Sequence, residues 1–181
     1  INLGFIGTGK QGGILLDYFT EHCADIVPVA ACDVYKAKLD KFVTQAKNIQ
    51  AEKETSNVKL KTYEYYRELL ANPEIDAVVI ATPDDLHAQI AVDAAKAGKD
   101  IWCEKPMTRT IGEGKKVVEA VNAHGRMFRL NTWFRFKDNF YGLGTDVKPL
   151  KKVIDSGILG WPLKVTVSGI TGYNWKFFWS G

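Results

Sequence analysis

Paired cysteines are missing from this chain. Cys23, Cys32 and Cys103 are odd in number and widely spaced, with no CxxC pair, so neither a disulfide framework nor a zinc site is indicated. Each is expected to be reduced and buried. No apolar run approaches the roughly 20 residues needed to span a bilayer, and no membrane partner is expected. Concentrated positive charge is lacking too: the net charge of +3 comes from lysines scattered over the whole length. Dispersed charge of this kind describes a solvated surface, so no nucleic-acid partner is expected. The chain has no Gly-x-Ser-x-Gly elbow, no His-Glu-x-x-His and no Walker phosphate loop with its terminal Lys-Ser or Lys-Thr, which removes the chemistries those motifs carry. No cluster of ligating side chains suggests a metal, and there are no repeats or low-complexity tracts. An initiator Met is absent and the chain opens inside an expected strand, so an upstream segment is expected, and any targeting signal with it.

What is present is ordinary in bulk and specific in detail. Hydrophobic residues at 46% and charged residues at 25% are usual for a soluble globular protein. The length of 181 residues allows one large domain, or one domain and a piece of another.

The informative stretch is the opening. A short apolar run (Leu3, Phe5, Ile6) meets Gly7-Thr8-Gly9-Lys10-Gln11-Gly12. A segment with Ile14, Leu15, Tyr18 and Phe19 at helical spacing follows, then a second apolar run ending in Asp33. Strand, glycine turn, helix, strand and acid in that order suit a dinucleotide. Gly7 lets the chain turn sharply, Gly9 keeps side-chain bulk away from a pyrophosphate, and Gly12 lets the helix pack closely. The N–H groups at the helix start face the phosphates. Asp33, about twenty residues beyond Gly12, falls where a carboxylate accepts hydrogen bonds from the adenosine ribose, favouring NAD over NADP. The alternative is a purely steric glycine turn.

Further along, residues 35–47 place Leu39, Phe42, Val43 and Ala46 on one helical face, and 48–57 reads as a loop. A weak strand is expected at 58–62 and a helix at 63–71, stopped by Asn72-Pro73. The Ala-Val-Val-Ile run within 75–81 suits a parallel strand covered on both faces. Thr82-Pro83-Asp84-Asp85 breaks it and caps a helix over 84–97, with Leu86, Ile90, Ala94 and Ala97 at the buried spacing and Gly98 as its stop. A strand at 100–104 is followed by Lys105-Pro106. The next helix, over 108–123, turns Ile111, Gly114, Val118 and Val121 inward, and a last strand covers 126–131. Strands alternating with helices predict an α/β fold with a doubly wound parallel sheet.

The composition changes after Asn131. The stretch 133–141 is aromatic and basic, 147–156 looks helical, and 162–168 alternates as an antiparallel strand would. Two domains are therefore expected: a dinucleotide-binding domain over 1–131, and over 132–181 the beginning of an α+β substrate domain with a mostly antiparallel sheet, cut short at Gly181.

In an open parallel sheet, ligands collect beyond the carboxyl ends of the strands. The expected strand ends are Gly7-Thr8-Gly9, Cys32-Asp33, Ala81-Thr82-Pro83, Glu104-Lys105-Pro106 and Asn131, so most of the unusual polar residues converge on one rim. Here the chain resembles the Gfo/Idh/MocA oxidoreductases. The glycine turn, Ala81-Thr82-Pro83 with His87 four residues after Pro83, and Glu104-Lys105-Pro106 all stand in family order and spacing. The resemblance is close over 1–131 and continues through Leu159-Gly160. It implies a Rossmann domain, with the Ala-Thr-Pro turn along the dinucleotide and Glu104 and Lys105 beside the nicotinamide ribose, Lys105 also reaching the substrate. It further implies a dimer or tetramer, and a catalytic His, often with an Asp four residues before it, on a second-domain helix not contained in 1–181.

The residues themselves agree for Lys105. A residue before proline is pushed towards extended geometry, so its ammonium projects from the strand end, where it can stabilise alkoxide charge or transfer a proton. A solvated surface lysine is the alternative, and the Lys105-Pro106 bond is a candidate for cis. Glu104 either accepts from ribose hydroxyls or pairs with a lysine. His87 either faces the nicotinamide ribose or caps its helix. Asn131, Trp133 and Arg135 either reach a polyhydroxylated substrate or form a domain interface, and the aromatic residues Trp175, Phe177, Phe178 and Trp179 suit a sugar site or a core equally. The expected function is NAD-dependent oxidoreduction of a sugar, cyclitol or related polyol. An NAD-dependent glycosidase and a non-enzymatic cofactor-binding sensor are the rivals. The expected compartment is the cytoplasm, or the periplasm if an export signal preceded Ile1.

Overall fold

The computed structural model describes residues 1–52, 59–132, 155–158 and 160. The chain divides into two compact units, Ile1–Thr132 and Trp133–Gly181. Of the helix expected over 147–156 only Asp155 and Ser156 are described, and the strand expected over 162–168 and the aromatic residues at 175–179 lie outside the described residues.

The first unit runs β1 (Asn2–Ile6), α1 (Lys10–His22), β2 (Val27–Cys32), α2 (Lys36–Glu52), β3 (Lys61–Tyr63), α3 (Tyr66–Leu70) and β4 (Ala77–Ile80). A 3-10 turn (Asp84–Leu86) leads to α4 (His87–Lys96), β5 (Asp100–Glu104), α5 (Ile111–Ala123) and β6 (Phe128–Asn131). The strands form one six-stranded sheet in the order β3-β2-β1-β4-β5-β6, every pairing parallel. Two halves wind outward from the β1/β4 boundary, as expected of a doubly wound sheet.

Strand residues alternate between the two faces and so feed two separate cores. Phe5 and Val79 pack with Leu15, Leu16 and Phe19 of α1 and Leu39, Phe42 and Ala46 of α2. Ile6, Val78 and Ile80 pack on the other face with Ile90 and Ala94 of α4 and Val117 and Ala120 of α5. Burial on both faces explains why β4 reads as an unbroken apolar run.

Four helices depart from the expected extent or phase. α2 continues to Glu52, past the loop expected from Asn48, because Ile49 extends the stripe of Phe42 and Ala46 and packs on the same core. In the segment after β4, the 3-10 turn rotates the helix that follows it. Leu86 is left 44% exposed and His87 takes the first buried place at 1%, and Ala97 is also exposed. In α5 the buried residues are Val117 and Ala120, whereas Ile111 and Val118 are exposed. Ile14 and Tyr18 of α1 likewise face outward.

The start of α5 is held by a capping box: Glu113 N–H donates to Thr110 Oγ1 at 3.2 Å, and Thr110 N–H to Glu113 Oε2 at 3.0 Å. Two donors at a helix start are thereby satisfied. Thr110→Ala should lower unfolding stability by about 1 kcal/mol. Denaturant titration would register this as a lower midpoint at unchanged slope, and an unmoved midpoint would show that the cap does nothing.

Candidate functional site

Because every strand runs the same way, their carboxyl ends lie on one edge of the sheet. The register is nearly level there: Ile6 pairs with both Cys32 and Ile80, Ile80 with Cys103, and Glu104 with Asn131. The turns after β1, β2, β4 and β5 therefore share this edge with Asn131 at the end of β6.

The glycine turn is tight where the backbone demands it. Gly7 has φ +92°, and a Cβ there would stand 2.6 Å from the Ala81 carbonyl carbon and oxygen. Gly7 N–H donates to Cys32 O at 2.9 Å and Ala81 N–H to Ile6 O at 2.8 Å, so the turns after β1 and β4 lie against each other. A Cβ on Gly12 would approach Gly7 O to 2.3 Å, so this glycine allows α1 to start directly against its own turn. Gly9 differs, since a Cβ there meets nothing within 4 Å. The space over Gly9 is open on the protein side.

Asp33 grips the turn from the neighbouring strand. Its Oδ2 accepts from Thr8 N–H at 2.8 Å and Thr8 Oγ1–H at 3.0 Å, and its Oδ1 accepts from Tyr35 N–H at 2.9 Å. The carboxylate thus orients both loops that border it. α1 has neither a side-chain cap nor an acidic residue in its first turn. Its leading N–H groups and the positive end of its dipole are left for an anion, in contrast to the capped α5. Lys10 is exposed beside them.

Thr82 Oγ1 is buried without a hydrogen-bond partner, a cost usually met by a ligand or ordered water. Pro83 is exposed beside it. His87 stands behind this turn, 1% exposed. Its Nε2 lies 2.9 Å from Thr82 O and its Nδ1 2.7 Å from Pro106 O. The imidazole stands between the turn after β4 and the turn after β5, within hydrogen-bond distance of a carbonyl on each and, when neutral, donating to one of them, an arrangement neither of the two expected roles included.

Glu104 and Asn131 are each 5% exposed. Glu104 Oε1 accepts from Gln11 Nε2 at 2.7 Å and from Asn131 Nδ2, and Oε2 accepts from Lys105 N–H at 3.2 Å. The Asn131 amide is therefore committed to a buried carboxylate. Lys105 is exposed, precedes a cis peptide bond to Pro106, and makes no ion pair among the described residues. Trp133 and Arg135 lie outside the described residues.

Cys32 and Cys103 adjoin the two site carboxylates in sequence. Burial pushes each thiol up to about 12, helped by the neighbouring Asp33 or Glu104 charge. Since the thiolate is the nucleophile, both are inert at neutral pH. The accessible amines on this edge include Lys10 at the start of α1 and Lys105 in the turn after β5. The open Gly9 backbone, the uncapped α1 start and the orphan Thr82 hydroxyl together fit a phosphate-bearing, hydroxyl-rich cofactor. Gly7, Gly9, Lys10 and Thr82 would hold it, with Asp33 at its far end.

Residues 1–132 match the model of an oxidoreductase family with an NAD-binding Rossmann fold, and residues 143–181 match that family's C-terminal alpha/beta domain. An inositol 2-dehydrogenase from Salmonella typhimurium is 29% identical over 170 residues, 91% of this chain and 44% of its own length. A glycosyl hydrolase family 109 protein from Shewanella baltica is 32% identical over 66% of this chain and 25% of its own. Among solved structures, scyllo-inositol dehydrogenase from Lactobacillus casei with bound NAD(H) and scyllo-inositol superposes with a TM-score of 0.66. It is 27% identical, covering 88% of this chain and 42% of that one. The chain thus spans less than half the length of these relatives.

Proposed function

This chain belongs to the Gfo/Idh/MocA oxidoreductase family, and from that membership we propose that it serves an NAD-dependent dehydrogenase acting on a secondary hydroxyl of a cyclitol, sugar or related polyol. The observation that carries the reading is the meeting of three turns on one sheet edge: the glycine turn with open space over Gly9, the turn bearing the unpartnered Thr82 hydroxyl, and the turn presenting Lys105. Bound there, NAD would supply the hydride acceptor for oxidation of the carbinol carbon to a ketone.

The chain's own residues provide the rest. The α1 start and Gly9 receive the phosphates. Asp33 places a carboxylate at the end of β2, where it suits ribose hydroxyls and repels a 2′-phosphate. Lys105 approaches the reacting hydroxyl and stabilises the alkoxide charge as the hydroxyl proton passes to the second-domain His that the family resemblance implies. A substrate rich in hydroxyls fits an exposed amine, and the inositol dehydrogenases among the relatives support this class. A homo-dimer or homo-tetramer, supported by the family resemblance alone, completes the reading.

The test is to incubate the full-length protein with NAD and a panel of myo-inositol, scyllo-inositol and simple hexoses, following NADH absorbance. Cyclitol-dependent NADH formation is expected, with NADP at least about tenfold less effective because of Asp33. Release of a chromogenic aglycone from a glycoside, with no net NADH from any polyol, would replace this reading with the glycosidase.

A further inference from the structure

Gln11 is the second residue of α1, and its partner Glu104 ends β5. In the sheet, β4 lies between β1 and β5. The Gln11 side chain therefore crosses the carboxyl end of a whole strand to place Nε2 2.7 Å from Glu104 Oε1. The same oxygen receives Asn131 Nδ2 from the end of β6, and the other carboxylate oxygen receives the Lys105 amide at 3.2 Å. One buried carboxylate, 5% exposed, thus joins the start of α1, the end of β6 and the backbone of the turn that presents the exposed amine. A buried carboxylate needs its donors, since losing one leaves an acceptor away from water with nothing to replace it. Two of the donors, Gln11 and Asn131, reach it from 93 and 27 residues away, and the third is the amide of the next residue, so the carboxylate ties two distant parts of the chain to its own turn.

We infer that Gln11 is a positioning residue that couples occupancy of the glycine turn, through Glu104, to the placement of Lys105. The inference rests on the cofactor reading given above. An anion gripped by the uncapped start of α1 restrains the residues from which Gln11 projects. The Gln11 amide passes that restraint to Glu104, and Glu104 passes it to the Lys105 N–H. The phosphate end of the cofactor would then help to order the amine that works at its other end.

Adenosine diphosphate is the probe, because it carries the two phosphates and lacks the second ribose and the nicotinamide. Hydrogen exchange is measured by mass spectrometry on the full-length protein with and without saturating ADP. In the unsubstituted protein, ADP should slow exchange at least about threefold both at residues 7–13 and at residues 103–108. In Gln11→Leu the first segment should still slow and the second should not. Gln11→Lys, which keeps a donor of similar reach, should restore the second effect. Gln11→Met, of similar length and without a donor, repeats the loss on an independent variant. In steady state, Gln11→Leu should lower kcat about tenfold and leave the KM for NAD within about twofold, the pattern of a lost interaction that positions a reacting group. Equal slowing of 103–108 in Gln11→Leu, or slowing confined to 7–13 in the unsubstituted protein, would overturn the coupling while leaving the cofactor reading intact. ADP that slows neither segment would overturn the cofactor reading itself.

Discussion

Lys105→Met is expected to lower kcat for cyclitol oxidation by about 10²- to 10⁴-fold while leaving thermal stability unchanged. The two halves of this expectation have separate causes. Lys105 is exposed and makes no ion pair among the described residues, so removing its charge breaks no folded-state contact of that kind. Methionine preserves much of the aliphatic stem, and surface changes of this sort usually alter stability by less than about 0.5 kcal/mol. The amine is nevertheless exposed at the turn proposed to meet the substrate, while the thiols of Cys32 and Cys103 at the ends of β2 and β5 are held protonated by burial. Its loss should remove stabilisation of the developing alkoxide and little of the ground-state binding, so kcat and kcat/KM should fall together. Lys105→Arg should restore part of the activity, because guanidinium keeps the positive charge that stabilises the alkoxide but presents it from a larger, planar fork. Activity within threefold of normal in Lys105→Met, measured under saturating NAD, would remove Lys105 from the reaction.

The fold was legible because its punctuation is local. Gly7-Thr8-Gly9, Asn72-Pro73, Thr82-Pro83 and Lys105-Pro106 break the chain between segments of clear periodicity, and parallel crossovers leave few ways of joining them. The shared edge followed at once, since parallel strands place all their following turns on one side. The phase of the helices was less accessible. Val117 and Val118 are adjacent valines, and only the docking of α5 on β5 and α4 decides that Val117 is buried and Val118 exposed. The side-chain partnerships were less accessible still. Gln11 and Glu104 are 93 residues apart, and their meeting depends on strand order and on the height at which each strand ends. No periodicity in the chain encodes that meeting. His87 illustrates the same limit: one turn of 3-10 helix moved Leu86 to solvent and turned the imidazole inward, to carbonyls on two separate loops.

The three glycines Gly9, Gly12 and Gly112 should respond to alanine in three different ways, and the differences test the site more sharply than any one variant. Gly12→Ala places a methyl group 2.3 Å from the Gly7 carbonyl oxygen. That atom is backbone, fixed by a turn whose amide is bonded to β2, so the collision has no flexible side chain to absorb it. Overpacking of this kind costs about 1–3 kcal/mol, enough to outweigh the gain of up to about 1 kcal/mol from alanine's helix propensity. At about 2–4 °C per kcal/mol for a protein of this size, Gly12→Ala should melt several degrees lower. Gly112 lies on α5 with nothing within 4 Å of its Cβ position, so the same substitution should leave the melting temperature unchanged or raise it slightly. Gly9 also has open space around it, and its φ of −69° and ψ of −165° suit any L-residue. Gly9→Ala should therefore fold and melt like the parent. Its methyl group would occupy the space over which the pyrophosphate is proposed to lie, and NAD affinity by fluorescence titration should fall at least about tenfold. A Gly9→Ala protein that binds NAD normally would show that the open space is not where the phosphates sit. A Gly12→Ala protein of unchanged stability would show that the turn yields more easily than its hydrogen bonds imply.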